Sequence, residues 1–250
     1  MKKFGMIFAA GALAACMAVG FAACAPISSE AKGTPSAHVT REQWDAFFSD
    51  LDASLENSAI TYETSSSDTS YVLGIKYTCT EVIKYETVHA DGLIYQKKES
   101  YQTGAYGDIS LDDTDPTEEF YLEPSGDESG ILYNRYWKNA GGTWSKGMMA
   151  AEALFDPLSG ISADYDDYVY SDSRSGYVLK EDVGGEDVVL KFNEDGKLVA
   201  VWQEETIVTD MAGIGSVRTI EQMNIVIEYG GQSLTLPEVE GGDGGSGVSA

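Results

Sequence analysis

The stretch from Val188 to Trp202 constrains the fold of this chain more than any other. Val188-Val189-Leu190-Lys191-Phe192 runs into Asn193-Glu194-Asp195-Gly196, and alternating apolar residues resume after Lys197. Asn at the first turn position, Asp at the third and Gly at the fourth suit a type I turn with a glycine bulge, which joins two antiparallel strands. That loop makes Asn193 face Lys197. Phe192 then faces Leu198, Leu190 faces Ala200 and Val188 faces Trp202, all on one apolar face. A slip of one residue would turn the whole set to the other side, so the pattern specifies its register.

Period two recurs along most of the chain. Tyr71, Leu73, Ile75, Tyr77 and Cys79 alternate with polar or small residues and predict one long half-buried strand. Val82 to His89 continues or pairs with it, Asp91-Gly92 turns the chain, and Leu93 to Tyr101 returns. Asp108 to Glu128 holds nine carboxylates in 21 residues. It has no calcium-loop spacing, so a solvated connection is expected, with Phe120-Tyr121-Leu122 a short strand inside it. Ile131 to Lys138 is strand-like and Asn139 to Gly142 turns it back. Tyr177 to Val183, Glu204 to Thr209, Val217 to Tyr229 and Ser233 to Leu236 complete the predicted strands.

Helical signals are few. Thr40 with Gln43 three residues on forms a capping box. Trp44, Phe47, Phe48, Leu51 and Leu55 follow at helical spacing and predict a helix packed on the sheet. Ser145 can cap a second, short helix carrying Met148, Met149, Ala151, Leu154 and Phe155 and ended by Pro157. This insert would cover part of the sheet or act as a lid over a cavity. The elements together make an α+β fold, mainly β.

The N-terminus sets the location. Lys2 and Lys3 precede an uncharged apolar run from Phe4 to Ala23, which reads as a secretory signal over residues 1–23 rather than a membrane span. Phe21-Ala22-Ala23-Cys24 resembles the lipobox of bacterial lipoproteins, which implies an acylated Cys24 at the mature N-terminus. Leu13-Ala14-Ala15-Cys16 is a second candidate. A cut there would leave Met17, Val19 and Phe21 in a polar tether, so Cys24 is the better site. Residues 24–39 then form the lipidated tether, 25–39 a flexible spacer. A folded domain spans 40–237, and 238–250 is an acidic Gly-rich tail expected to be disordered. The protein is placed on the extracytoplasmic face of the cell membrane, anchored by its acyl chains.

Composition excludes some partners. Acidic residues outnumber basic ones 41 to 16, and the net charge of -25 becomes -27 once Lys2 and Lys3 leave. Such a surface repels phosphate backbones, so no nucleic acid is expected. With Cys16 removed and Cys24 acylated, Cys79 is alone, and its place in the alternation makes it a small buried hydrophobe. Two histidines, His38 and His89, leave little scope for a triad, and no metalloprotease, paired-cysteine or phosphate-loop pattern occurs. No catalytic residue, metal site or cofactor is expected.

Gly141-Gly142-Thr143-Trp144 and the ending Ile225 to Pro237 (IVIEYGGQSLTLP), following signal, tether and helix, are similar to bacterial lipoproteins of the Lol-type carrier fold, including the mycobacterial-type glycolipid carriers. The resemblance covers roughly residues 40–237. It implies a helix packed on a large curved antiparallel sheet, an incomplete barrel, holding a lipid or another apolar small molecule on its concave side. Same-face aromatics are the expected lining: Tyr77, Tyr95, Tyr133, Trp137, Phe192 and Trp202, with Met148 and Phe155 at the mouth. The alternative is a non-catalytic module that binds another protein of the cell envelope through a sheet edge or aromatic patch. A deep apolar cavity favours the carrier, and a closed core with an exposed aromatic patch favours the module.

Overall fold

A computed structural model describes residues 30–72, 74–126, 132–139, 141–150, 154–180, 188–211 and 215–239. The signal, Cys24 and most of the tail lie outside these residues. Helices α1 (Glu30–Gly33), α2 (Arg41–Ser49) and α3 (Leu51–Leu55) precede thirteen strands. They are β1 (Ser58–Val72), β2 (Ile75–Ala90), β3 (Leu93–Tyr106), β4 (Ile109–Ser110), β5 (Asp113–Thr114), β6 (Glu118–Pro124) and β7 (Leu132–Lys138). The others are β8 (Trp144–Ala150), β9 (Tyr168–Ser171), β10 (Gly176–Leu179), β11 (Val189–Phe192), β12 (Leu198–Met211) and β13 (Gly215–Tyr229). All belong to one antiparallel sheet in the order β8-β7-β6-β3-β2-β1-β13-β12-β11-β10-β9, with β4 and β5 flanking β3. The sheet is open, ending in β8 on one side and β9 on the other.

Helices α2 and α3 form where the capping pattern predicts, and α1 falls in the stretch expected to be a flexible spacer. Thr40 Oγ1 accepts from Gln43 N, and Gln43 Oε1 accepts from Thr40 N at 2.9 Å. Asp50, with φ -141°, interrupts the predicted continuous helix and caps α3 through Ala53 N. Trp44 and Phe47 face inward, and Trp44 is fully buried. Its ring lies 4.8 Å from Phe192, 5.1 Å from Tyr168 and 5.5 Å from Tyr177, and its Nε1 donates to Ala163 O at 2.7 Å. Ile60, Leu190, Leu198, Val201, Ile225 and Ile227 complete this core. The face of the sheet beneath α2 and α3 is called the helix face here, and the opposite one the outer face.

The 188–202 hairpin forms with a difference in register. Gly196 has φ +78°, Asn193 N donates to Lys197 O, and Phe192 pairs with Leu198, all as expected. Val199 then bulges, so Lys191 pairs with Ala200, Leu190 with Val201 and Val189 with Trp202. One extra residue reverses the alternation of everything beyond it. Trp202 therefore packs on the outer face with Ala31, Val189 and Ala200, away from Phe192.

Three further expectations are revised. Tyr71 to Cys79 is not one strand: Val72 pairs with Ile75, and Gly74 at φ +82° turns the chain. A hairpin and a straight strand both keep period two, so the pattern could not separate them. The helix predicted from Ser145 is a strand, β8, whose residues 144–150 pair with β7 throughout. Methionine and alanine favour helix locally, but the preceding Asn139 turn hands the segment a ready partner, and ladder pairing overrides propensity. Ser233–Leu236 form no strand; Leu234 N is held instead by Asp91 Oδ2 at 3.0 Å. The predicted β3 turn at Asp91-Gly92 holds, with φ +56° and +69° as a type I′ hairpin requires.

The hairpin turn also touches the helix. A Cβ built at Gly196 would stand 2.8 Å from Gln43 Cβ. Gly196→Val therefore combines left-handed strain with a clash against the capping-box residue, and should cost more than about 2 kcal/mol. Trp44→Ala should cost about 3–5 kcal/mol. Urea denaturation of the two variants checks both, and unchanged midpoints would contradict this packing.

Candidate functional site

The register divides the aromatic residues between two faces. Tyr77 on β2, Tyr133 and Trp137 on β7 and Phe192 on β11 point to the helix face, as does Phe155 from the segment after β8. Tyr95 on β3, Met148 on β8 and Trp202 on β12 point to the outer face. The eight residues expected to line one pocket therefore do not share one. Phe192 is fully buried beneath Trp44. Phe155 does not guard a mouth: it stacks on Tyr85 at 3.8 Å, lies 4.9 Å from Tyr62, and accepts from Gln96 Nε2 through its carbonyl.

Where a carrier would hold its ligand, the helix face is occupied. Helices α2 and α3, with Leu158 and Ile161 of the connection after β8, pack over β1 and β9 to β13. A cavity of about 80 Å³ beyond them is bounded by Thr64, Ser66, Glu81, Ile83, Gln203 and Met223. Another of about 130 Å³ on the outer face is bounded by Thr61, Glu63, Asn224 and Glu228 beside Glu30. Both fall below the roughly 300–1,000 Å³ of small-molecule sites. A third of about 340 Å³ is lined by Pro116 with Lys98, Ser100, Asp115 and Glu118, with no aromatic side chain among them. None of the eight expected lining residues borders these three.

The outer face of β6, β7 and β8 is different. Tyr95, Tyr121 and Trp144 form a line across it, with ring centroids 4.9 and 5.4 Å apart. Lys138 lies 5.7 Å from the Trp144 ring and Lys146 lies 4.8 Å from that of Tyr136. Met148, which pairs with Asn134, is 64% exposed. Glu123, on the same face, ties the patch together, accepting from Tyr136 Oη at 2.9 Å and Asn134 Nδ2 at 3.1 Å. The hydrogen bond to Tyr136 holds the Lys146 ammonium above the usual lysine range, so it stays charged. Among the described residues no strand pairs with the outer edge of β8. Aromatic rings, methionine and basic groups beside a free edge make a surface suited to protein contact.

Residues on the other face of the same strands set the hairpin. Trp137 Nε1 donates to Asn139 Oδ1 and Asn139 Nδ2 to Ser145 Oγ, so the Asn139 side chain staples β7 to β8 across the turn. Gly147 lets the Trp137 ring lie across β8; a Cβ there would meet Trp137 Cζ3 at 3.1 Å. The sequence pattern did not bring Tyr121, Trp144 and Lys146 together, because it put Tyr121 inside a solvated connection and Lys146 on a helix from Ser145.

One pair outside the expected set has a catalytic look. Ser58 and His89 face each other across β1 and β2. Ser58 is fully buried, and its Oγ has no hydrogen-bond partner. The hydroxyl is neither activated nor open to a substrate, and a serine nucleophile needs both. His38 stacks on Tyr170 at 3.7 Å. Cys79 is buried. Among the described residues no group of three metal-ligating side chains converges.

No family model and no curated protein matches the chain. Among solved structures, a DUF1329 family protein from Desulfovibrio piger covers 78% of this chain and 94% of its own, at 8% identity and a TM-score of 0.14. A likeness of that size carries no argument about fold or function.

Burial lowers the His89 pKa below the ordinary histidine value, partly offset by Glu56, Asp52 and Asp156. The unfolded chain then takes up the proton first. Stability is fully present above about pH 6.5 and is lost as pH falls below it, until the folded-state pKa is passed. His89→Gln should flatten the pH dependence of the urea midpoint below pH 6.5. An unchanged slope would show that other groups carry it.

Proposed function

We propose that this protein is a membrane-anchored extracytoplasmic lipoprotein, acylated on Cys24, that acts as a non-catalytic interaction module of the cell envelope. The observation that carries this reading is the outer face of β6 to β8, an aromatic and basic patch that ends in the free edge of β8. Trp144 and Met148 are the contact residues, with Tyr121 and Lys146 beside them. An added strand would satisfy the open N–H and C=O groups of β8, and Trp144 would supply the buried anchor that interfaces concentrate their energy in. The carrier reading draws less support, because α2, α3 and Phe155 fill the face where a lipid would lie. A surface of charge near -27 also gives nucleic acid no foothold.

A photo-crosslinking residue placed at position 148 in living cells tests the patch, with position 169 on the opposite edge strand as control. The expected result is a defined adduct from 148, absent from 169 and lost with Trp144→Ala in a protein that stays folded. Adducts at neither position, or equally at both, would overturn it. Saturable binding of a fluorescent fatty acid to the delipidated domain would put the carrier in its place. Clickable fatty acid should label Cys16→Ala but not Cys24→Ala, and the reverse would move the anchor.

A further inference from the structure

Residues 30–39 belong to the stretch read from sequence as a flexible spacer, yet nearly every one of them is held. Ala31 is fully buried against Val189, Ala200 and Trp202 on the outer face. The Lys32 ammonium lies 4.3 Å from the Trp202 ring centroid. Lys191, only 2% exposed, donates through Nζ to Lys32 O at 2.8 Å and Thr34 O at 2.5 Å. Those are carbonyls at the end of α1, where a cation is favoured and orphan acceptors need donors. Among the described residues Lys191 forms no ion pair with a carboxylate, so these carbonyls account for its burial.

The chain then crosses to the helix face along β11. Strand β10 begins at Gly176, opposite Lys191, and leaves the end of β11 open. Phe192 N donates to Ser36 Oγ at 3.0 Å and Ala37 N donates to Phe192 O at 2.7 Å. Tyr170 Oη donates to Ser36 O at 3.2 Å. Tyr177 Oη closes the path, accepting from Val39 N at 2.7 Å and donating to Val39 O at 2.9 Å. Thr40, the next residue, caps α2.

We infer that residues 30–39 form a docked strap that holds the domain close to the membrane in a fixed orientation, with the β9–β12 side toward the bilayer and β8 outward. This rests on the reading of Cys24 as the acylated residue. Five residues separate Cys24 from Glu30, and the six Cα–Cα steps fully extended span only about 20 Å. A free spacer running to Thr40 would reach more than twice as far. Helix α1, where the strap begins, lies over β12 and β13, and β8 is seven strand positions from β12, or about 34 Å along the sheet. The patch around Trp144 and Met148 is thus carried away from the bilayer and kept free for a partner. Loss of the strap would let the domain tumble on a long leash.

Coupling the mature chain chemically through Cys24 to a maleimide lipid in neutral phosphatidylcholine vesicles tests this without relying on cellular acylation. A donor dye on a clickable residue at position 169 or 148 reports energy transfer to a labelled lipid. Transfer should be greater from 169 than from 148. Ala31→Glu, which leaves every strand residue in place, and Lys191→Met should each reduce that difference, and hydrogen exchange of Ala37 and Val39 should accelerate in both. Equal transfer from the two positions, or a difference that neither variant changes, would overturn the strap. Loss of fatty-acid labelling at Cys24 in cells would instead remove the native anchor and leave this result standing.

Discussion

The burial of Trp44 is the interaction on which the rest of the structure depends. Its ring touches residues from β9, β10 and β11, and its indole N–H is satisfied by the carbonyl of Ala163, in the connection before β9. A short capped helix thereby becomes the hub that joins the last strands of the sheet to the connection after β8. The strands β9, β10 and β11 have only four residues each. Ladder bonds alone would hold so short an edge poorly, and the aromatic cluster supplies the missing apolar burial.

Away from that hub the sheet is held by length and by charge order. The central strands β1, β2, β3, β12 and β13 run 14 to 16 residues and pair almost end to end. On the outer face Glu63 faces Lys84 and Lys84 faces Glu99, while Glu86 faces Lys97 and Lys97 faces Glu119. Glu63 is buried and the other five are half-buried, and each facing pair contributes about 0.2–1 kcal/mol. Their larger effect is on register, since a slip would bring like charges together in a chain already strongly acidic.

An open sheet with two different faces changes what the aromatic residues can do. A closed cup would gather them round a ligand. Here the helix face spends Phe192, Tyr62 and Tyr85 on packing, and the outer face leaves Trp144 and Met148 at the edge farthest from α1. The start of the strap and the patch follow from the same geometry, because α1 and the patch both lie on the face opposite α2 and α3.

The sequence by itself determined the class of fold, the capped helix with Trp44 and Phe47 inward, the turns at Asp91-Gly92 and Asn193 to Gly196, and the burial of Cys79. Each of these rests on local chemistry: a capping box, a residue able to take positive φ, or a run of period two. Only the tertiary structure decided the face of Trp202, the fate of residues 145–150 and the docking of residues 30–39. The reason is parity in the first case, since the Val199 bulge carries no residue signature yet reverses all that follows it. In the second it is competition, since a segment with helical composition pairs when a hairpin delivers it beside β7. In the third it is partnership: a polar, proline-containing stretch has no periodicity of its own, and its order comes from Lys191, Tyr177 and the open end of β11, which lie more than a hundred residues away.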